Sequence, residues 1–204
     1  MKRKTILGAT VILFLCFSFS LKAECDLLLA DFETDSELLD FTALAGMLLE
    51  RSVDFASRGN FSLKMTYSVY SGKNPVVVYE KLKGKNLMEY HAITCDLYNP
   101  QETDIAASFV ANVSLAGGGK QPVWAKNFLL AAKQTNSIVV PVADIFDVFS
   151  RLMKKEGKDD LIGNELKIEN FFFFVSSRFH KEKELVLYLD NLWLKGSGGK
   201  NHEQ

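Results

Sequence analysis

The residues best able to do chemistry in this chain are acidic and widely spaced. Asp190 lies in the middle of the apolar run of residues 185–194. A carboxylate in such a strand is expensive to bury unless something compensates it. Near the start, Asp31-Phe32-Glu33 places two more carboxylates on a strand-like stretch, and Ser57-Arg58-Gly59-Asn60 runs into a third such segment. No catalytic constellation accompanies them. A glycosidase needs two carboxyl groups across a cleft, and the adjacent pair Asp159-Asp160 sits in a polar stretch that reads as a solvated loop. His91, His180 and His202 show no His-x-x-x-His spacing, and no Gly-x-Ser-x-Gly elbow occurs. Gly117-Gly118-Gly119-Lys120 lacks phosphate-loop spacing and a following helix, so it reads as a hairpin loop. Asn112-Val113-Ser114 matches a glycosylation sequon, which matters only in a eukaryotic host. A small hydrolase with an unrecognised site is the weakest reading carried forward.

The elements that must position these residues are strands. Phe61, Leu63, Met65, Tyr67 and Val69 alternate with Ser62, Lys64, Thr66 and Ser68, and every odd residue from Ile105 to Leu115 is apolar. Ile138, Val140 and Val142 alternate likewise. With residues 27–33, 76–82, 93–98, 123–130, 167–176 and 185–194, about nine strands are predicted. Phe171 to Val175 is apolar on both faces, which predicts cover from the opposite sheet on one side and a helix or loop on the other. Pro141 cannot donate to a ladder, so its strand should lie at an edge or be bulged. One short helix is predicted near 144–156, with Asp144 as cap, Ile145, Phe149, Leu152 and Met153 on one stripe, and Gly157 as terminator. The fold class is therefore all-β, an antiparallel β-sandwich of jelly-roll type.

The termini read differently. Lys2, Arg3 and Lys4, then an apolar stretch from Ile6 to Phe19, then Leu21-Lys22-Ala23, have the form of a secretory signal peptide spanning 1–23. An uncleaved anchor needs roughly 20 apolar residues, and lipid attachment at Cys25 is disfavoured by Glu24. The sandwich domain is assigned to 24–195 and a flexible Gly- and Ser-rich tail to 196–204. The protein is thus placed outside the cell or in a periplasm, with no membrane span after cleavage. The chain holds 24 Lys and Arg against 25 Asp and Glu, and the leader carries only basic charges, so the mature chain is net acidic. That excludes the basic footprint of a nucleic-acid binder. Cys25 and Cys95 could pair in an oxidising compartment or remain separate thiols; no Cys-x-x-Cys occurs.

The pieces Leu29-Ala30-Asp31-Phe32-Glu33, Ser57 to Lys64, Cys95 to Pro100, Ile138 to Asp144 and Leu187 to Leu194 occur in an order that resembles the galactose-binding-like jelly rolls, and within them the carbohydrate-binding modules of secreted glycoside hydrolases. The resemblance covers nearly the whole mature chain. It implies that the first and last strands lie side by side. It also implies a structural calcium there, with Glu33 and Asp190 supplying carboxylates and carbonyls around Gly59 and Asn60 completing the shell. Without a metal, Asp190 would instead cap a turn or pair with Arg58 or a lysine.

The resemblance also directs attention to sugar-stacking aromatics flanked by hydrogen-bonding side chains. Trp124, after the loop 116–122, is the first candidate platform, with Tyr90, Tyr98 and Phe179 as companions and Asn112, Gln121 and Asp96 as polar contacts. Trp193 is assigned to the core. The favoured reading is a secreted, non-catalytic module binding a polysaccharide or other glycan. The runner-up is a cell-envelope domain that meets another protein through one contiguous apolar patch.

Overall fold

The computed structural model describes residues 26–114, 120–158, 162 and 166–196, and the side chains of 114 and 120–124 lie outside that description. The leader 1–23, Cys25, the tail beyond Gly196, the Gly117–Gly119 loop and Asp159-Asp160 therefore fall outside the described residues. The described residues form two antiparallel sheets. One joins β3 (Met47–Ser52), β4 (Ser62–Tyr67), β11 (Leu185–Gly196), β6 (Tyr90–Asn99) and β9 (Gln134–Pro141), in that order, with β1 (Leu27–Ala30) beside β11. The other runs β2 (Phe41–Leu44), β5 (Val76–Tyr79), β10 (Ile168–Val175), β7 (Ile105–Ser114) and β8 (Lys120–Leu130).

The ends of the chain meet: Leu27 pairs with Leu194 and Leu28 with Trp193. Between the sheets, Leu63, Met65 and Tyr67 of β4 and Leu187 and Leu189 of β11 face Phe109 of β7 and Phe171 and Phe173 of β10. The three phenylalanines pack at ring separations of 4.9 to 5.7 Å, and Tyr79 stacks on Phe171 at 5.1 Å. Such contacts add to the area term that dominates the core.

β2 and β3 had no counterpart among the predicted strands. They are joined by a tight turn at Ala45 and Gly46, with φ of +54° and +84°, and belong to different sheets. A Cβ at Gly46 would lie 2.4 Å from the Ser68 hydroxyl, so both the turn and its packing call for glycine. β9 is the edge strand that Pro141 required, and it ends there.

The helix α1 (Val142–Lys155) starts earlier than predicted. Pro141, not Asp144, is its cap residue, with φ −64°, and Asp144 lies in the first turn. Proline carries no N–H to leave unpaired and is preset for helix entry. Val142, Ile145, Phe149 and Met153 are buried, and α1 packs against β6, β8 and β9, closing the sandwich where its two edge strands face each other.

Candidate functional site

Residues 53–61, between β3 and β4, form a strap across the outer face of the six-stranded sheet. Asp190 of β11 holds its middle. Its Oδ2 accepts the Ser57 amide at 2.7 Å, the Arg58 amide at 2.8 Å and the Ser57 hydroxyl at 3.0 Å, while Oδ1 accepts the Asn191 amide at 2.6 Å. Asp190 is 2% exposed. Directly across the ladder stands Asp96 of β6, which accepts the hydroxyls of Ser57 and Ser137 and the Asn191 side-chain amide. The Ser57 hydroxyl lies within reach of both carboxylates, and its single proton serves one at a time. Burial pushes the Asp190 carboxyl above its ordinary range, against the pull of the Arg58, Asn191 and Ser57 donors.

Glu33 holds the far end of the strap. Phe32, at φ +58°, turns its ring into the core and leaves Glu33 facing the strap. Glu33 Oε1 accepts the amides of Asn60 at 2.7 Å and Phe61 at 3.0 Å, and Oε2 accepts the Asn60 side chain at 3.4 Å. The Asn60 amide first, then that of Phe61, holds the Glu33 carboxyl below its ordinary value. Gly59 has φ +70°, and a Cβ there would sit 2.3 Å from Glu33 Oε1. Arg58 lies 4.9 Å over the Trp193 ring, with Lys195 4.6 Å from it. Trp193 is therefore half-buried on the outer face, not in the core.

Calcium takes six to eight oxygens and mixes carboxylates with carbonyls. Glu33, Gly59, Asn60 and Asp190 do not fit such a shell. The strap turns N–H groups toward both carboxylates, which already accept four hydrogen bonds at Asp190 and three at Glu33. Among the described residues no cluster of three or more His, Cys, Asp or Glu is placed to share a metal. The reading of Asp190 as the cap of a turn is the one that the geometry supports.

The residues named for sugar contact divide between the two sheets. Tyr90 is 9% exposed and belongs to the core, which removes it as a companion ring. Tyr98 lies on the outer face of the six-stranded sheet under the strap, where Phe55 stacks on it at 3.8 Å and Tyr188 stands edge-on at 6.4 Å. Phe179 packs against the core. Asn112 lies on the five-stranded sheet and donates to Asn170 at 2.6 Å. Trp124 and Gln121 are placed only by backbone register, opposite Ala111 and Val113, their side chains being outside the described residues.

The five-stranded sheet has an outer face from which the sequence reading named only Asn112. Two rows run across all five strands: Thr42, Val78, Phe172, Val110 and Ala125, then Leu44, Val76, Phe174, Ser108 and Asn127. The Phe172 and Phe174 rings lie side by side at 6.2 Å, tilted 30°. The Ser108 hydroxyl meets Asn127 at 2.6 Å. Among the described residues no helix or strand packs broadly across this face; Phe172 and Phe174 on it are half-buried and Val78 and Val110 are buried. The doubly apolar pattern of Phe171 to Val175 was the available signal.

No family model and no curated protein matches this sequence. Solved structures do match it. A family 11 carbohydrate-binding module from Clostridium thermocellum, in complex with a β-1,3-1,4-mixed-linked tetrasaccharide, superposes with a TM-score of 0.57 at 14% identity, over 84% of this chain and 95% of that one. The CBM22-1 xylan-binding domain of Paenibacillus barcinonensis Xyn10C gives 0.54 at 12% identity, over 87% and 99%. An exo-β-agarase gives 0.55 at 12% identity, over 85% of this chain but 25% of the enzyme. At these identities the likeness establishes the fold: a β-sandwich of the carbohydrate-binding-module type.

Proposed function

We propose that this chain is a secreted, non-catalytic module that holds a glycan across the outer face of its five-stranded sheet. The observation that carries this reading is the pair of cross-strand rows centred on Phe172 and Phe174, which contain no charged side chain. The apolar face of a pyranose stacks on aromatic rings, and its hydroxyls need neutral donors and acceptors beside them. Thr42, Asn112 and Asn127 flank the rings for those roles, Asn127 held by the buried Ser108 hydroxyl and Thr42 by Glu80. The two rows hold no carboxyl, imidazole, thiol or amine, and the Ser108 hydroxyl is engaged by the Asn127 amide oxygen rather than by a base. The matched modules, whose own ligands are a mixed-linked tetrasaccharide and xylan, support the choice of ligand class. The leader at 1–23 supports export, and N-terminal sequencing of the exported chain should begin at Glu24.

Native affinity electrophoresis in gels containing xylan, mixed-linkage β-glucan or agarose tests this. The wild type is expected to be retarded in at least one gel. Phe172→Ala with Phe174→Ala should run freely in it while keeping the wild-type circular dichroism. Free migration of the wild type in every gel, or equal retardation of the double variant, overturns the reading.

One observation favours the runner-up, a protein contact at a cell envelope. Leu44 and Leu129 are 48% and 69% exposed at opposite edges of the same face. Together with Val76 and the phenyl rings they make a strip without tyrosine or described tryptophan. Retardation by polysaccharide decides between the two.

A further inference from the structure

We propose a second carbohydrate contact on the opposite side of the sandwich, where Phe55 offers the free face of its ring above Tyr98 and Tyr188. Phe55 is 45% exposed and sits at φ +54°, a backbone conformation that non-glycine residues rarely adopt. Its ring lies parallel to Tyr98 at 3.8 Å and 9°, and Tyr188 meets it edge-on at 4.9 Å and 61°. The strap is fastened on both sides of that ring. Asp190 takes the amides of Ser57 and Arg58, and the Ser62 hydroxyl donates to the Asp54 carbonyl at 2.6 Å. The result is a rigid aromatic plate with one face packed and the other in water. Strained, over-determined backbone of this kind gathers at binding sites.

The surroundings select the occupant. Beside the plate, Lys64 stands across the ladder from Tyr188 and forms an ion pair with Glu50 at 3.0 Å, and Asp54 immediately precedes Phe55. The stacked apolar surface is one ring, set among these charges, with the exposed Val53 two residues away in the strap. That is far smaller than a protein interface, which needs about 1,000 Å², and it matches one sugar ring. Carboxylates accept from vicinal hydroxyls while the ring face stacks. The ligand class is a single hexopyranose or pentopyranose unit, terminal or within a chain. With the phenylalanine face on the other sheet, the module would hold two glycan segments on opposite sides, and such linkage raises avidity without new contacts. The proposal rests on the glycan-binding reading only for its choice of probe.

The test uses the full exported chain and three soluble probes, cellohexaose, xylohexaose and a mixed-linkage β-glucan hexasaccharide. Calorimetry gives the stoichiometry, and carbon–proton spectra follow the Tyr98 and Tyr188 rings. The expected result is two sites for at least one probe, with the Tyr98 and Tyr188 resonances shifting. Phe55→Gly relieves the left-handed backbone while removing the plate, and should leave one site and still rings. Phe55→Trp should keep both sites. Phe172→Ala with Phe174→Ala should leave one site with the tyrosine shifts intact. Unchanged stoichiometry in Phe55→Gly, or tyrosine signals unmoved by every probe, overturns the second site. Tyrosine shifts that depend on protein concentration alone assign the plate to self-association and overturn it too. Failure of the first site shows separately, as a Phe172 and Phe174 variant that keeps the wild-type stoichiometry.

Discussion

Asp190→Ala is the sharpest perturbation of the strap. It removes the acceptor of three main-chain amides, those of Ser57, Arg58 and Asn191, at a side chain only 2% exposed. A buried donor left without a partner costs about 1–3 kcal/mol. Three of them, taken at the lower end because loss of a buried charge is itself partly favourable, come to about 3 kcal/mol. For a domain of this size each kcal/mol moves Tm by about 2–4 °C, so the variant should melt roughly 6–12 °C below wild type. Asp190→Asn keeps one oxygen for the strap but turns an amide toward another donor, and should fall between the two. Thermal unfolding followed by circular dichroism, with and without EDTA, measures both effects. The hydrogen-bond account expects the chelator to leave every curve in place. A loss of less than about 1 kcal/mol in Asp190→Ala would refute the strap argument. So would an EDTA-induced drop in wild type equal to that caused by the substitution, because a bound cation would then hold the strap.

Three further outcomes follow from the same geometry. Gly59→Ala must adopt φ +70° and push a Cβ to within 2.3 Å of Glu33 Oε1; we expect a loss of about 2 kcal/mol in urea unfolding, reduced to the cost of the left-handed backbone alone when Glu33 is already Ala. Glu33 is held below its ordinary 4.5, so its contribution is present above that value and is lost as pH falls through the depressed one; Asp190 is raised, so between its ordinary 3.8 and its raised value its contribution falls as pH rises. Tm measured from pH 2 to 7 should accordingly lose its Glu33-dependent acid limb in Glu33→Gln and its opposing limb in Asp190→Ala. The Cys95 thiol is buried and pushed up by that burial, with Asp96 adding to the shift; a thiol reagent should label it on the unfolding timescale, and rapid labelling in the native state would contradict the core placement.

The all-β class was legible because period two survives wherever one face is buried; the edge strand at Pro141 followed from the missing proline N–H, and the meeting of the chain ends from the resemblance. The pattern failed where the period is broken. In β11 a bulge between Asp190 and Trp193, with Asn191 at φ +55°, flips the alternation, so Leu189 and Leu192 face the core while Trp193 faces out. A second irregularity between Lys195 and Gly196 sits opposite the start of β6, where Tyr90 turns inward although Thr94, Asp96 and Tyr98 share its parity. An extra residue in one strand reverses every side chain beyond it. Asn191 was the visible signal for the first bulge, since asparagine tolerates the left-handed region. The strands β2 and β3 escaped for another reason: Ala43-Leu44-Ala45 and Met47-Leu48-Leu49 do not alternate, and the turn between them carries the chain from one sheet to the other. The site residues were harder still, since placing Asn112 and Tyr98 on opposite sheets is a fact of strand order that no local spacing contains.

The two outer faces differ in the one property that decides what they can hold. On the five-stranded sheet the cross-strand rows are apolar or neutral, so charge repels nothing and selects nothing, and shape with a few amides must do the discriminating. On the six-stranded sheet a buried carboxylate is accepted only because the strap brings its amides to it, and the strap in turn fixes Phe55 where chain flexibility would otherwise let the ring collapse. Asp190 therefore acts on that face through position, not contact: its removal should loosen Phe55 before it unfolds the sandwich, since the strap hangs from Asp190 and Glu33 while the core beneath rests on Leu63, Met65, Phe171 and their neighbours. In hydrogen exchange, Asp190→Ala should speed the amides of Ser57 and Arg58 by far more than those of β4 or β10. Uniform acceleration across the strap and both strands would mean that the carboxylate supports the whole fold, and the plate on Phe55 would then lose its separate status.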